Sequence, residues 1–310
     1  MHRDFVTATR FLVVAACLLT ALPLAALKVD GDAGAYGFQM LKIPASAAIA
    51  ACGGTGAASG SDALGFFEHP ATPLRTRTSA ISFSSTYWMF DTKLNTVAYT
   101  RHSGSRSFGL GMRYLDYGKF DTVDDVSQII GEFHPMDLDA VLNFSYRITP
   151  SHFAGVNVHL LYEKIHTASS WGACADIGWV WLTPLEGLRT GLTAKYLGGT
   201  SAMDSESIDL PYTLEALVAK DVILGGVDFT AEGRAIKHPD DDNAKAALGL
   251  NARLLGTLDL RFGYKFNYDV ESFSAGFGVA WKRLRVDYAY LPFIEDGSDD
   301  IHIIGLSFML

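Results

Sequence analysis

Apolar and polar residues alternate one by one along the chain, in about fourteen short segments between residue 79 and the last residue, Leu310. In one of these segments Phe108, Leu110 and Met112 are separated by single glycines. The alternation is equally clear at 138–148, 258–266 and 273–281. Because successive side chains of a β-strand point to opposite faces, each segment predicts a strand with one apolar face and one small, polar or charged face.

The connections between these segments are long and short in turn. Short connections lie at 103–106, 149–151, 183–187, 256–257 and 282–283. Longer polar connections lie at 116–137, 164–170, 198–210, 237–244, 267–272 and 292–300. Two fit less well, since 91–93 is short for the long side and 220–226 is long for the short side. Long loops on one rim and tight turns on the other are typical of a transmembrane β-barrel. We therefore predict an all-β fold, a transmembrane antiparallel β-barrel of about 14 strands over residues 79–310, with an even strand count.

A soluble β-sandwich also alternates, with its apolar face turned to an internal core. Its outward face is usually rich in lysine and glutamate, whereas the second face here is largely Gly, Ser, Ala, Thr and Asn. Charged residues make up 19% of the chain, against about 25% in soluble domains. Aromatic residues also gather near segment ends, as at Tyr87, Trp88, Trp179 and Trp181, which is typical of the interfacial girdles of a membrane barrel. These features favour the membrane barrel.

The amino terminus predicts export. Arg3 and Arg10 precede an uncharged, mostly apolar stretch at 11–27, the arrangement of a secretory signal peptide. We predict a signal over 1–26, cut near Ala26, and a mature protein in lipid of the bacterial outer membrane. Cys17 allows a lipoprotein signal, but its place inside the apolar stretch favours an ordinary residue.

Acidic residues concentrate in the long connections. They include Asp121, Asp124, Asp125, Asp204, Glu206, Asp209, Asp240, Asp241, Asp242, Glu295, Asp296, Asp299 and Asp300. The formal net charge of −9 argues against a nucleic-acid partner. The stretch 238–243 lacks the glycine and closing glutamate of an EF-hand loop, so solvated loop surface is favoured over a calcium site.

Residues 27–78 differ in character from the barrel region. They contain an alanine-rich run at 47–51 and a glycine cluster with Gly53, Gly54 and Gly56. Alanine at this density predicts a short helix, and the glycines allow close packing or positive φ. A dinucleotide motif is excluded because Ser59 stands where its third glycine belongs. The chain has no catalytic motif of the Gly-x-Ser-x-Gly or His-Glu-x-x-His type, so we predict no enzyme activity, no cofactor and no metal site. The segment is long enough to fill the barrel lumen as a hatch.

Several short motifs of this segment and of the barrel resemble the PorV/PorQ family of outer-membrane proteins, which is related to the FadL family of long-chain fatty-acid transporters. The motifs lie at 43–47, 53–58, 62–63, 69–71, 131–133, 137 and 143–146. His69 stands where the family usually has asparagine, and Ala48 and Ile49 stand where it has an arginine. The resemblance implies a fourteen-stranded barrel with its amino-terminal segment inside as a hatch.

Two functions follow as expectations. In the first, a hydrophobic solute such as a long-chain fatty acid crosses by passive diffusion after the hatch moves. The residues expected in the hatch and ligand path are Phe66, Phe67, His69, Pro70, Ala71, Gly53, Gly54 and Gly56. Packing of the same residues against the barrel wall is the favoured alternative for Phe66, Phe67, Pro70 and Ala71. In the second, the resemblance to PorV implies a carrier in type IX secretion that acts through secretion-system proteins.

The last strand bears on assembly. Ile304, Leu306, Phe308 and Leu310 place an apolar residue at every second position up to the carboxyl terminus. This pattern is similar to the terminal signal that the outer-membrane assembly machinery reads, with Leu310 in place of the common terminal phenylalanine. We therefore expect Phe308 and Leu310 to form the assembly signal.

Overall fold

A computed structural model describes residues 36–56, 62–76, 79–124, 128–203, 208–238, 244–268, 271–293 and 300–310. The predicted signal peptide at 1–26 lies outside the described residues, as do Cys17, Ser59 and the acidic stretch at 240–242.

Sixteen strands account for most of the described chain. They are β1 (Ala80–Tyr87), β2 (Lys93–Ser103), β3 (Arg106–Asp116), β4 (Phe120–Val123), β5 (Ile129–Phe133), β6 (Met136–Arg147), β7 (His152–Ile165), β8 (Ala168–Leu182), β9 (Leu188–Thr200), β10 (Thr213–Leu224), β11 (Val227–Lys237), β12 (Lys245–Leu254), β13 (Leu258–Phe266), β14 (Phe273–Trp281), β15 (Leu284–Leu291) and β16 (Ile301–Met309). Fourteen of them pair antiparallel into a closed barrel, in which β3 pairs with β6 and β16 pairs with β1. The remaining two, β4 and β5, pair with each other as a hairpin in the connection between β3 and β6. The predicted fourteen-stranded barrel is confirmed.

The tight connections lie where the alternation placed them, at one rim of the barrel. The stretch 220–226, which looked long for that rim, is mostly strand, and only Gly225 and Gly226 form the turn between β10 and β11. Both have positive φ, which suits a two-residue hairpin turn. The prediction of a long connection at 164–170 was wrong, because β7 and β8 continue to a two-residue turn at His166 and Thr167. His166 has positive φ there, which the sequence pattern does not reveal.

Most apolar side chains of the barrel strands face outward. Leu110, Leu142 and Phe262 are 57%, 62% and 51% exposed, while polar neighbours such as Arg113 and Asp139 are buried inside. An apolar exterior around a polar interior is the arrangement of a barrel that spans an outer membrane. Its short turns face the periplasm and its longer loops face the cell exterior. We call these ends the short-turn rim and the long-loop rim.

The helices are brief. Helical turns lie at Ala47–Ala50 and Pro73–Thr76, and 3₁₀ turns lie at Gln39–Lys42 and Ala63–Phe67. Within the described ranges, none of these helices is long and apolar enough to cross a membrane.

Residues 36–56 and 62–76, which we call the luminal segment, contact inward-facing side chains and backbone all around the barrel. The helix predicted from the alanine run is confirmed at Ala47–Ala50, and Gly53 and Gly54 follow it with φ of 68° and 82°. Positive φ after a helix lets the chain reverse and satisfies its last carbonyls, as the Gly54 amide does by donating to the Ile49 carbonyl at 3.0 Å. The hydrophobic core of the protein therefore lies inside the barrel, between the luminal segment and the wall.

Candidate functional site

Phe66 and Phe67 pack against a strip of the inner barrel wall where the inward-facing residues are glycines. Both rings are fully buried and stack with centroids 4.7 Å apart. They lie over Gly109 and Gly111 of β3, where an added Cβ on Gly111 would come within 2.6 Å of Phe67 Cζ and 2.7 Å of Phe66 Cζ. Only glycine leaves room for rings at that distance. The Arg113 guanidinium lies over the Phe67 ring, 4.8 Å from its centroid.

His69, Pro70 and Ala71 occupy a second place of this kind. A Cβ on Gly155 would overlap the backbone of Pro70, and a Cβ on Gly178 would lie 2.7 Å from His69 Cε1. The His69 ring Nδ1 accepts a hydrogen bond from the Ala71 amide at 3.2 Å. All three residues are buried, so this part of the luminal segment has no open space around it.

Two wall side chains hold the Pro70 carbonyl. Asn143 Nδ2 and Ser145 Oγ donate to it at 2.9 and 2.8 Å. A third wall side chain, Asn157, donates to the Phe66 carbonyl at 2.8 Å. These bonds join the backbone of the luminal segment directly to β6 and β7.

The three glycines of the predicted hatch lie against the opposite wall or against their own chain. The Gly53 amide donates to Ser274 Oγ at 2.9 Å, and Arg234 Nη1 donates to the Gly54 carbonyl at 2.6 Å. A Cβ on Gly56 would lie 3.2 Å from the Ile49 side chain. The structure thus places every residue named for the hatch inside the barrel, but on two different sides of it.

A buried polar network runs across the wall behind Phe66 and Phe67. Arg113 forms an ion pair with Asp139 at 2.5 Å, with both side chains at most 1% exposed. His159 contacts Asp139 through Nδ1 at 3.0 Å and Asp176 through Nε2 at 2.9 Å. Asn157 Nδ2 donates to Asp176 at 2.9 Å. Because buried charges are stable only when paired and hydrogen-bonded, this network fixes the wall side chains that hold the luminal segment.

Glu68 links the luminal segment to itself and to the wall. Its Oε1 accepts from the Ala45 amide at 3.2 Å, and its Oε2 lies 3.8 Å from Lys195 Nζ and 3.5 Å from Arg234 Nη1. Arg234 also pairs with Glu215 at 2.7 Å. The Glu68 carboxylate therefore lies between two wall cations and shares one of them, Arg234, with the wall acid Glu215.

Most of these charged residues are not predicted as site residues from the sequence. Arg113 and Asp139 were visible as polar positions within alternating segments, but Glu68, Lys195 and Arg234 carried no local signal. The strand parity of Arg113 and Asp139 shows which side of the sheet they face. Their partners depend on strand register, which the pattern alone does not supply.

The end of the lumen near the long-loop rim is filled by apolar side chains. Met40 and Ile43 pack with Leu94 and Leu115. Phe38 and Leu41 pack with Leu161, Tyr196 and Leu210. Beside the first cluster, Tyr117 in the loop after β3 donates to Asp137 at 2.8 Å. Burial, reinforced by that carboxylate, raises the pKa of Tyr117 above its ordinary value, so the phenol stays a hydrogen-bond donor.

A cavity of about 370 Å³ lies at the other end, beside the short-turn rim. We call it the rim cavity. Its floor is the luminal segment at Ala48, Ile49, Cys52, Thr55 and Gly56. Its wall carries the charged and polar side chains Arg189, Asp221, Glu232, Asn251, Arg253 and Arg261. The lumen is thus filled by apolar side chains at one end, while the other end is hollow and lined by both charged and apolar side chains.

Cys52 and Cys174, which the predicted export would place in an oxidising compartment, are both buried and form no disulfide. Burial raises the pKa of the Cys52 thiol to about 12. An un-ionised thiol behaves as a small apolar group, which fits its place in the floor of the rim cavity.

Comparison with solved structures identifies the architecture. The toluene transporter TbuX of Ralstonia pickettii matches with a TM-score of 0.59 and 13% identity, over 89% of this chain and 99% of that one. The toluene transporter TodX of Pseudomonas putida matches with a TM-score of 0.61 and 13% identity, over 84% of this chain and 96% of that one. No family model matches the sequence, and no curated protein matches it.

At 13% identity these matches show a shared fold. The fold, together with the apolar exterior of the barrel, places the protein in the bacterial outer membrane. The narrower resemblance to the PorV/PorQ family stays a prediction, because no sequence match supports it.

Proposed function

We propose that the protein is an outer-membrane channel for a hydrophobic solute, in which the luminal segment is a hatch within residues 27–78. One observation carries the proposal: away from the rim cavity, the barrel lumen is filled by a segment that fits a lining of glycines. An open, water-filled pore would do little for a solute that prefers oil, whereas a filled lumen admits only what displaces the segment.

A long-chain fatty acid is the solute that we propose. The apolar clusters near the long-loop rim, around Met40 and Phe38, suit an alkyl chain. TbuX and TodX, which share this fold, are toluene transporters. This supports a hydrophobic solute in general and makes a monoaromatic hydrocarbon the competitor to test. No energy-coupling motif is evident in the sequence, so passage is proposed to be passive diffusion.

The buried position of Phe66 and Phe67 bears on their role. Both are fully buried against the wall, so they would line a path only after the hatch has moved. That burial supports the alternative in which these residues, with Pro70 and Ala71, seat the hatch.

The test is binding of a fluorescent long-chain fatty acid to detergent-refolded protein, with toluene added as a competitor. The variant Phe66→Ala/Phe67→Ala removes two stacked rings from the lumen. Its matched control is Phe108→Ala/Phe144→Ala, which removes a similar pair from the lipid-facing side, with centroids 5.1 Å apart. Circular dichroism checks that each variant is folded.

Saturable binding that changes in the luminal variant and not in the control would support the channel. If well-folded wild-type protein shows no saturable binding of the fatty acid, that solute is wrong. Direct binding of labelled toluene by the same protein would then point to hydrocarbons. The type IX secretion role stays a prediction that no contact among the described residues favours.

A further inference from the structure

Two buried acids at the long-loop rim differ from most buried acids of the barrel wall, which are paired with an Arg, Lys or His side chain. Asp137 of β6 and Glu163 of β7 lie directly opposite each other across the two strands, and they are 0% and 8% exposed. Within the described ranges, neither forms an ion pair with a basic side chain. We call Asp137 and Glu163 the acid pair.

The hydrogen bonds of the acid pair come from uncharged donors. Asp137 Oδ2 accepts from the Tyr117 hydroxyl at 2.8 Å, and Glu163 Oε2 accepts from the Phe38 amide at 2.9 Å. The other oxygen of Asp137, Oδ1, is buried and accepts no hydrogen bond from any residue that the structure describes. A buried acceptor without a donor is costly, so a group that brings an O–H to this oxygen is favoured there.

The acid pair lies between the two apolar clusters at the long-loop rim. Leu115 lies opposite Asp137 across β3 and β6 and belongs to the first cluster. Leu161 precedes Glu163 by two residues on the same face of β7 and belongs to the second. An alkyl chain that enters between these clusters therefore carries its polar end past the acid pair.

Other charged and polar groups around the acid pair do not neutralise it. The next inward-facing residue of β6, Asp139, pairs with Arg113 at 2.5 Å and with His159 at 3.0 Å, so these two basic side chains already have their partner. On the β8 side, the residue opposite Glu163 is Ser170, which carries no charge. When ionised, the acid pair thus presents negative charge that no nearby cation offsets.

We propose that Asp137 and Glu163 select the uncharged form of an acidic solute where it enters the filled end of the lumen. The proposal rests on the proposed function and deepens its substrate class, since the fatty acid would pass as the protonated acid. An un-ionised carboxyl can donate its O–H to Asp137 Oδ1. A carboxylate has no hydrogen to donate and is repelled by like charge, which acts strongly where water is excluded.

The test compares a long-chain fatty acid with its methyl ester, which keeps the alkyl chain but cannot ionise. Both compete with an uncharged fluorescent probe on detergent-refolded protein at about pH 8, where a free carboxyl is ionised. The variant Asp137→Asn/Glu163→Gln removes both charges. It leaves an oxygen acceptor for the Tyr117 hydroxyl and for the Phe38 amide, and circular dichroism checks its folding.

The matched control is Asp121→Asn/Glu132→Gln. These two acids also lie opposite each other across a pair of strands, but they are exposed on the hairpin of β4 and β5. The control therefore makes the same two substitutions and the same change in net charge at a place where solvent and salt screen the charges.

The acid-pair variant is expected to bind the fatty acid about tenfold more tightly than wild type at about pH 8, because an unscreened repulsion is gone. Binding of the methyl ester should be unchanged, and the control should match wild type for both compounds. The wild-type preference for the ester should narrow at about pH 5, where the acid begins to regain its proton.

Unchanged affinity of the acid-pair variant for the fatty acid, with ester binding intact, would overturn the selection and leave the channel standing. A long-chain amine that wild type binds more tightly than the ester, and that the variant does not, would also overturn it, because the acids would then hold a cation. If wild-type protein binds neither acid nor ester, the proposed function fails, and the selection fails with it.

Discussion

At the scale of single residues, the fit between wall and luminal segment depends on positions without a Cβ. Gly111, Gly155 and Gly178 each lie where any side chain would meet the luminal segment. At Gly155 the obstacle is the Pro70 backbone, which cannot yield by rotating a side chain. These glycines act by leaving space, and none of the three has the positive φ that would demand glycine for conformational reasons.

Gly155→Ala is therefore expected to destabilise the folded protein by about 1–3 kcal/mol, the usual cost of overpacking a filled interior. The Pro70 backbone would have to shift, and its bonds from Asn143 and Ser145 would stretch. The measurement is the temperature at which the folded band is lost on unheated gels. Gly233→Ala is the control, since its nearest neighbour, Val218 Cγ1, lies at an ordinary 3.4 Å. Equal melting of the two variants would contradict the tight fit at Gly155.

At the scale of elements, the last strand closes the barrel. β16 pairs with both β15 and β1, and the Leu310 amide donates to the Ser79 carbonyl at 2.8 Å. Phe308 faces lipid, with 45% of its surface exposed, and Ser307 faces inward and accepts from Ser82 Oγ at 2.8 Å. The outward parity of Phe308 fits the expected role of this strand as an assembly signal, which stays a prediction.

Deletion of residues 307–310 is expected to abolish insertion, because it exposes unpaired edges on both β1 and β15. The measurement is protease-resistant, heat-modifiable protein in outer-membrane fractions. Leu310→Phe, which restores the more common terminal residue, is the control and should insert normally. Normal surface assembly of the truncated protein would count against closure through β16.

At the scale of the whole molecule, the inner surface of the barrel wall carries many polar side chains, and its outer surface is apolar. Leu142 lies midway along β6 and is 62% exposed to lipid, whereas its neighbour Asn143 faces inward and is 4% exposed. One step along the strand therefore changes the surroundings from hydrocarbon to a hydrogen-bonded interior.

Leu142→Arg is expected to destabilise the inserted barrel by about 2–4 kcal/mol, the cost of a cation near the bilayer midplane. Urea unfolding in lipid vesicles measures the change. The control is Leu185→Arg in the turn between β8 and β9, where the side chain is 65% exposed at the short-turn rim and the charge can reach water. A similar loss in both variants would mean that Leu142 does not face the membrane centre.

The sequence alone determined the barrel, its strand count and the direction in which side chains such as Leu110 and Phe262 point. It could do so because strand alternation is a local property with a period of two, written into neighbouring residues. It also predicted a short helix in the alanine run and showed that Gly53 and Gly54 allow positive φ, because both depend on intrinsic backbone preferences.

Only the tertiary structure decided which side chains meet inside the barrel. The pairing of Arg113 with Asp139, the joint hold of Arg234 on Glu68 and Gly54, and the rim cavity all depend on strand register and closure. These set the distance between residues far apart in the chain, which no local pattern encodes. For the same reason the chain's alternation predicted a membrane barrel, while the contacts that seat the luminal segment against the wall became visible only from the fold.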